Sequence, residues 1–388
     1  MLDFQQLQQQ FDGFGDYQQR ERALLKTKLD LAEAALATCA ADWARYRDTL
    51  PHLKLSALIP TMLGDPSETC IAPPRPDVVT VVATDGSQIY PDRHREPSCY
   101  LLNISRIAFH YGTHEAPLIE SVPQFRYRTS ELQDHFDDLV ERASTDVVSA
   151  LRDGLELEHL RQVAEAAGTP GRPLVAMGDG TLIRWMLRSL HSRELEERLI
   201  AQYVETLEAF RQQHIPVCSF ISLPGNTEVI NLLKAVRREH ESDRLAPDAT
   251  LDGLLDRWLF ERILPLGHRS AVFESASHVQ MDYTPENRIC YVYIHVPIGE
   301  RQSEIARVEL PRWVADDDAL LGLVHAVVLS ECEKGRGYPL ILSEAHERAV
   351  IRSREKEAFY EMVRLRMEGA GLPLPESRKA QSKRRPFV

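Results

Sequence analysis

Three stretches of this chain stay apolar residue after residue instead of at every second one, and they constrain its fold more than anything else. They are VVTVVAT (78–84), PLVAMGD (173–179) and IPVCSFIS (215–222). A strand with one wet face alternates apolar and polar side chains, whereas a strand covered on both faces does not. Further strand-like segments fall near 99–111, 269–274, 288–296 and 304–310. Helical patterns lie near 130–167, 182–213, 228–243, 250–263, 317–334 and 342–368. Strands in alternation with helices predict an α/β fold with a mixed sheet flanked by helices.

The ends of the chain read differently. Leu25, Leu29, Ala32, Leu36, Cys39, Trp43, Tyr46 and Leu50 recur at spacings of four and three, so residues 16–50 predict one long helix with a heptad seam. Such a seam suits dimerisation or packing within the chain as a helical hairpin. The proline-containing segment after it reads as a linker, making 1–77 an N-terminal helix and linker and 78–370 the main domain. Residues 371–388 are a basic tail with Arg378, Lys379, Lys383, Arg384 and Arg385.

Bulk chemistry narrows the class. No apolar run approaches the roughly 20 residues of a membrane span, and the N-terminus has no secretory signal pattern. Six cysteines at 39, 70, 99, 218, 290 and 332 form no C-x-x-C pair, which fits reduced thiols in a cytoplasm. A net charge of −12 argues against general affinity for nucleic acid. That objection weakens where carboxylates are gathered in a metal site and basic residues cluster elsewhere.

Asp-Gly is a common turn dipeptide, and it occurs here at Asp12, Asp85, Asp153, Asp179 and Asp252. Only Asp85 and Asp179 end a continuous apolar run, and both continue into a small hydroxyl residue, as DGS and DGT. Ligands of α/β sheets sit beyond the carboxyl ends of the strands. Two carboxylates delivered there can share a cation, although each alone also reads as a turn. In LRDGLELEHLRQVAEAAG, Glu156 lies on the stripe Glu156, Leu160, Val163, Ala167 and should face inward; Glu158 lies with Gln162 and Glu165 and should face water. A buried carboxylate needs a metal or a partner, and Arg152 one turn earlier is the alternative. His346 shares a stripe with Leu342, Ala349 and Val350, so its imidazole is expected to point inward, as ligand or as core histidine. Asp85, Glu156, Asp179 and His346 make a hard, oxygen-rich donor set suited to Mg²⁺ or Mn²⁺.

The ordered set of DGS, LRDGLELEHL, DGTLI, ISLPGNTEVINLL, DRWLFERILPLGHRSAVF and YPLILSEAHERAVI, over about residues 78–355, resembles the NurA nucleases. The resemblance implies an RNase H-like core, Mn²⁺-dependent 5′-to-3′ exonuclease and single-strand endonuclease activity, a homodimer, and docking on the hexameric DNA translocase HerA. It carries the family's acidic residues onto Asp85, Glu156 and Asp179 and its C-terminal histidine onto His346. Two metal ions flanking the scissile phosphate would then serve an in-line displacement, with Gly86 and Gly180 allowing close approach of the nucleic-acid backbone. Arg126, Arg128, Arg184, Trp185 and Arg269 are candidate DNA contacts, through phosphate pairing and base stacking. The N-terminal helix and basic tail lie outside the resemblance. A catalytically silent adaptor of the translocase is the second reading. An actin-like or sugar-kinase ATPase is the third, and the missing Asp-x-Gly spacing and phosphate loop weigh against it.

Overall fold

The computed structural model describes residues 2–50, 57–91, 98–127, 145–190, 192–240, 250–299 and 301–372. The chain opens with α1 (Phe4–Gln9), α2 (Phe14–Ala41) and α3 (Trp43–Thr49). Strands β1 (Thr61–Met62), β2 (Thr69–Ile71), β3 (Val79–Ala83), β4 (Gly86–Ile89), β5 (Tyr100–Tyr111) and β6 (Leu118–Arg126) follow. Then come α4 (Thr145–Ala167), β7 (Leu174–Asp179), α5 (Arg193–Gln212), β8 (Val217–Ser222), α6 (Glu228–His240) and α7 (Asp256–Ile263). The remainder is β9 (His268–Ser270), β10 (Phe273–Glu274), β11 (Ile289–Ile298), β12 (Gln302–Pro311), α8 (Arg312–Ala315), α9 (Asp318–Lys334), α10 (Leu340–Ala349) and α11 (Ser353–Gly369).

The three continuously apolar runs become β3, β7 and β8, adjacent and parallel at the middle of one sheet. Its order is β1–β10–β11–β12–β8–β7–β3–β5–β4, with β6 on β5, β9 on β11 and β2 on β9. Both faces are covered. Val79, Val81 and Ala83 pack toward α9 and α10, while Val82 packs toward α4 and α5. An antiparallel unit of β3, β4, β5 and β6, extended by two strands parallel to β3, is an RNase H-like core.

Several expectations need correction. The helix expected over 16–50 breaks at Asp42. Its seam does not form a helical hairpin: Ala32, Leu36, Cys39, Tyr46 and Leu50 are buried against Val229, Leu233 and Phe260 of α6 and α7. The segment read as a linker supplies β1 and β2, which pair with β10 and β9. The helix expected over 342–368 is two helices, because the chain turns extended at Val350 and Arg352. The helix of 182–213 begins only at Arg193, where Ser192 caps it by accepting from the Leu195 N–H. Strands β4 and β6 were not anticipated; β6 carries Pro123 and pairs only with β5, where proline is tolerated at a sheet edge. The start of the expected 130–167 helix and the basic tail lie outside the described residues. No described helix is long and apolar enough to cross a membrane.

Candidate active site

Strands β3 and β7 lie side by side with Ala83 opposite Met177. Two residues further along each stand Asp85 and Asp179. Asp85 is fixed at its backbone: its N–H donates to Ser105 Oγ at 3.0 Å, and its carbonyl accepts from the Ser105 N–H at 2.8 Å. After Asp179 the chain turns through Gly180 at φ +79°, a left-handed conformation that suits glycine, and the Gly180 N–H donates to Asp179 Oδ1 at 3.0 Å.

Helix α4 brings the third carboxylate. The Thr84 hydroxyl donates to the Glu156 carbonyl at 2.9 Å, tying the helix to the end of β3. Glu156 then lies over Gly86, where a Cβ would stand only 2.5 Å from Glu156 Oε1. The bareness of Gly86 thus accommodates a carboxylate of the chain itself. Glu156 Oε1 is 3.0 Å from Arg152 Nε, so the inward stripe and the arginine partner both hold. That oxygen is buried without a hydrogen bond, while Arg152 directs hydrogen bonds to Asp153 Oδ1 at 2.7 Å and Gln88 Oε1 at 3.0 Å. Burial, reinforced by the charges of Asp153 and Asp85, pushes the Glu156 carboxyl up to about 8 against the pull of Arg152. Glu158 is half-buried and paired with Arg161 Nη2 at 2.6 Å, away from this cluster.

Helix α10 approaches from the opposite face of the sheet. Its final carbonyls would be orphans, but Asn103 Nδ2 donates to the Ala349 carbonyl at 2.8 Å, and the Ser121 hydroxyl to that of Arg348 at 2.7 Å. Ser87 adds a third donation, to Ala349. The helix end is therefore stapled to β4, β5 and β6. His346 differs from expectation: Leu342, Ala345 and Ala349 form the buried stripe, and the imidazole is 63 % exposed. It nevertheless reaches the site, with Nδ1 2.9 Å from Asp85 Oδ2. Sequence reasoning also missed Tyr338, whose phenol interacts with Asp179 and draws its carboxyl down. Burial raises the Asp179 carboxyl above its ordinary value and the Asp85 charge adds to it, against the bonds from Tyr338 and Gly180. The signal for Tyr338 was its place in GYP, just ahead of the helix that carries His346.

Asp85, Glu156, Asp179 and His346 are thus gathered at the strand ends from four separate elements. A NurA domain model matches residues 79–351. The chain belongs to the NurA family. The NurA fold here is also similar to the crystal structure of the NurA nuclease from Sulfolobus solfataricus, at 13 % identity and TM-score 0.48, covering 75 % of this chain and 85 % of that one. A second similar structure is LC9-RNase H1, a type 1 RNase H with the type 2 active-site motif, at 16 % identity and TM-score 0.22, covering 40 % and 69 %. No curated protein matches the chain.

As arranged in this NurA chain, no three His, Cys, Asp or Glu side chains among the described residues are close enough together to hold an ion. The donor chemistry does fit a hard divalent cation. Burial and the charge of Asp85 make Glu156 and Asp179 hold their protons more tightly than usual, and Glu156 keeps an unsatisfied oxygen.

The expected DNA contacts fare unevenly. Trp185 is 60 % exposed at the start of a short 3-10 helix, Trp185–Ser189, that follows the Asp179 turn. Arg184 is largely buried, 3.7 Å from Asp153 Oδ2, with its guanidinium over the Tyr203 ring. Arg126 donates to Gln124 Oε1 at 2.7 Å and lines a cavity of about 530 Å³ between α4 and α5. Arg269 lies on β9, separated from the β7 end by β11, β12 and β8. Arg128 lies outside the described residues.

Proposed function

We propose that this NurA-family chain is a metal-dependent DNA nuclease that hydrolyses phosphodiester bonds at the junction of β3, β7, α4 and α10. The reading rests on Asp85 and Asp179 standing at the ends of adjacent parallel strands, with His346 Nδ1 against Asp85 and Glu156 over Gly86. Asp85, Asp179 and Glu156 would hold divalent ions, Mn²⁺ or Mg²⁺, with His346 as a further donor. Bound there, the ions would supply charge neutralisation at the phosphate and an activated water.

The chain's own groups supply the remainder. The Asp85–Nδ1 contact orients the His346 ring and leaves Nε2 facing solvent, where it can accept or return a proton. Tyr338 favours the ionised form of Asp179, and Trp185 offers an aromatic surface for a splayed base. Family membership supports 5′-to-3′ exonuclease and single-strand endonuclease action, homodimerisation and docking on a HerA-type hexameric translocase. Six unpaired thiols support a reducing compartment such as the cytoplasm.

The test is degradation of end-labelled single-stranded and duplex DNA with Mn²⁺, Mg²⁺ or EDTA, for wild type and Asp85→Ala. Cleavage that needs metal and vanishes in Asp85→Ala is expected. Silence of wild type, alone and with its translocase, sinks the reading. The second reading, a catalytically silent adaptor, draws on the Arg152–Glu156 ion pair, which engages one carboxylate of the site. Metal binding without any strand cleavage would favour it.

A further inference from the structure

Arg307 and Glu309 alternate along β12 in the pattern of a solvent-facing pair, yet they are 0 % and 1 % exposed. A buried ion pair is weak evidence for stability, because desolvation offsets the attraction. What distinguishes Glu309 is how its two oxygens are used. Oε1 accepts from Arg307 Nε at 2.9 Å. Oε2 accepts from the Thr181 hydroxyl at 2.7 Å and from the Leu182 N–H at 2.9 Å. Both donors belong to the turn that follows Asp179. Thr181 Oγ1 also accepts from the Ile183 N–H at 3.0 Å, so one hydroxyl closes the turn on itself and on Glu309.

The far side of the pair is immobilised. The Arg307 guanidinium lies 3.6 Å from the centre of the Tyr291 ring, and Nη2 is 3.5 Å from Glu228 Oε1 at the start of α6. Asp256 accepts from the Val229 and Ile230 N–H groups at 3.1 and 2.8 Å and from the Tyr293 hydroxyl at 2.8 Å. Arg307 therefore has no room to swing away, and Glu309 follows it.

We propose that Glu309, braced by Arg307, is a positioning residue that fixes the Asp179 turn for chemistry. This rests on the nuclease reading of the site. The turn passes through a left-handed glycine, and nothing fills the space where a Gly180 Cβ would stand. Bonds to a carboxylate are stronger than neutral ones, and here they hold the two residues after Gly180. A drift of about 1 Å in a catalytic group costs on the order of a hundredfold in rate.

The experiment compares wild type with Thr181→Val, Thr181→Ser and Glu309→Gln. Thr181→Val removes the hydroxyl and leaves no new buried charge, so it tests the idea even if Glu309→Gln folds poorly. Hydrogen exchange of peptides spanning 179–184 is read beside single-strand cleavage kinetics. The expected result is at least about tenfold faster exchange confined to that turn, with kcat lower by about 10- to 100-fold. KM for DNA should stay within about threefold, and Thr181→Ser should restore both. Unchanged exchange in folded Thr181→Val, exchange raised uniformly along the chain, or unchanged kcat despite a loosened turn would each overturn the proposal. If wild type cuts no DNA, the nuclease reading falls on its own, and the exchange result still decides whether Glu309 holds the turn.

Discussion

Gly86→Ala separates the stability of this protein from its activity. Gly86 is not among the residues with positive φ, so alanine suits the backbone. The obstacle is space: the new Cβ would meet Glu156 Oε1 at 2.5 Å, Arg152 Cγ at 2.8 Å and Ile104 Cδ1 at 2.9 Å. Ordinary contact begins near 3.4 Å, so the Glu156 carboxylate must retreat by 3.4 − 2.5 = 0.9 Å. All three obstructing atoms are side-chain atoms, and they can yield. Overpacking costs about 1–3 kcal/mol, and about 0.4–1 kcal/mol returns through the stiffer unfolded chain. The net loss is about 1 kcal/mol, a melting shift of only about 1 °C in a chain of 388 residues. The atom that moves furthest is a proposed metal ligand, and a displacement near 1 Å costs on the order of a hundredfold in rate, about 2.7 kcal/mol of barrier. Thermal melts and kcat on single-stranded DNA at saturating Mn²⁺ measure the two effects. Cleavage within threefold of wild type, with an unshifted melt, would show that Glu156 does not need the space over Gly86.

Glu156→Gln should reduce cleavage at least about a hundredfold, and Glu158→Ala should leave it within a few-fold, because Glu158 is half-buried and engaged by its helix neighbours Arg161 and Gln162; equal losses in the two kinetic assays would contradict the assignment. His159 and His325 are buried and held down to about 4, chiefly by burial, from an unfolded value near 6.5. Between those values the unfolded chain binds more protons, so stability rises with pH there and falls as pH drops from about 6.5 to 4, by at most roughly 1.4 kcal/mol per unit for each histidine. Urea melts across that window should show the slope, and His325→Gln should reduce it by about half, leaving the His159 contribution. Removing residues 2–24 should spare the fold, whereas Leu36→Ala should cost about 2–5 kcal/mol, because Leu36 is buried against the helices beneath it. Circular dichroism and light scattering on both proteins check this.

The parallel centre of the sheet and the two strand-end aspartates were legible, because continuous apolar runs and the residues that stop them are local signals. Glu156 was legible through helical periodicity and Glu158 was set aside by the same argument. His346 was singled out by a helical stripe with Leu342, Ala349 and Val350, and that stripe misjudged its direction. The buried stripe runs through Ala345 rather than His346, and the imidazole is held from outside the core by Asp85. Arg307 and Glu309 were illegible for a related reason. Their spacing of two reads as a wet face, and only the covering residues Glu228, Tyr291 and Thr181, distant in sequence, turn that face inward. The seam of α2 shows a periodicity that fixes which side is buried without saying what buries it.

The contact between Asp85 and His346 joins residues 261 positions apart. A chain made from its N-terminus has β3 early, then α4 and β7, and acquires α10 only near the end of the described residues. Non-local contacts of this kind form late and slowly in folding. The pair at the heart of the site therefore cannot exist in a nascent or prematurely terminated chain. Copies that stop before α10 carry the aspartates without the histidine, so on the nuclease reading the contact that orients His346 is made only once α10 has been synthesised.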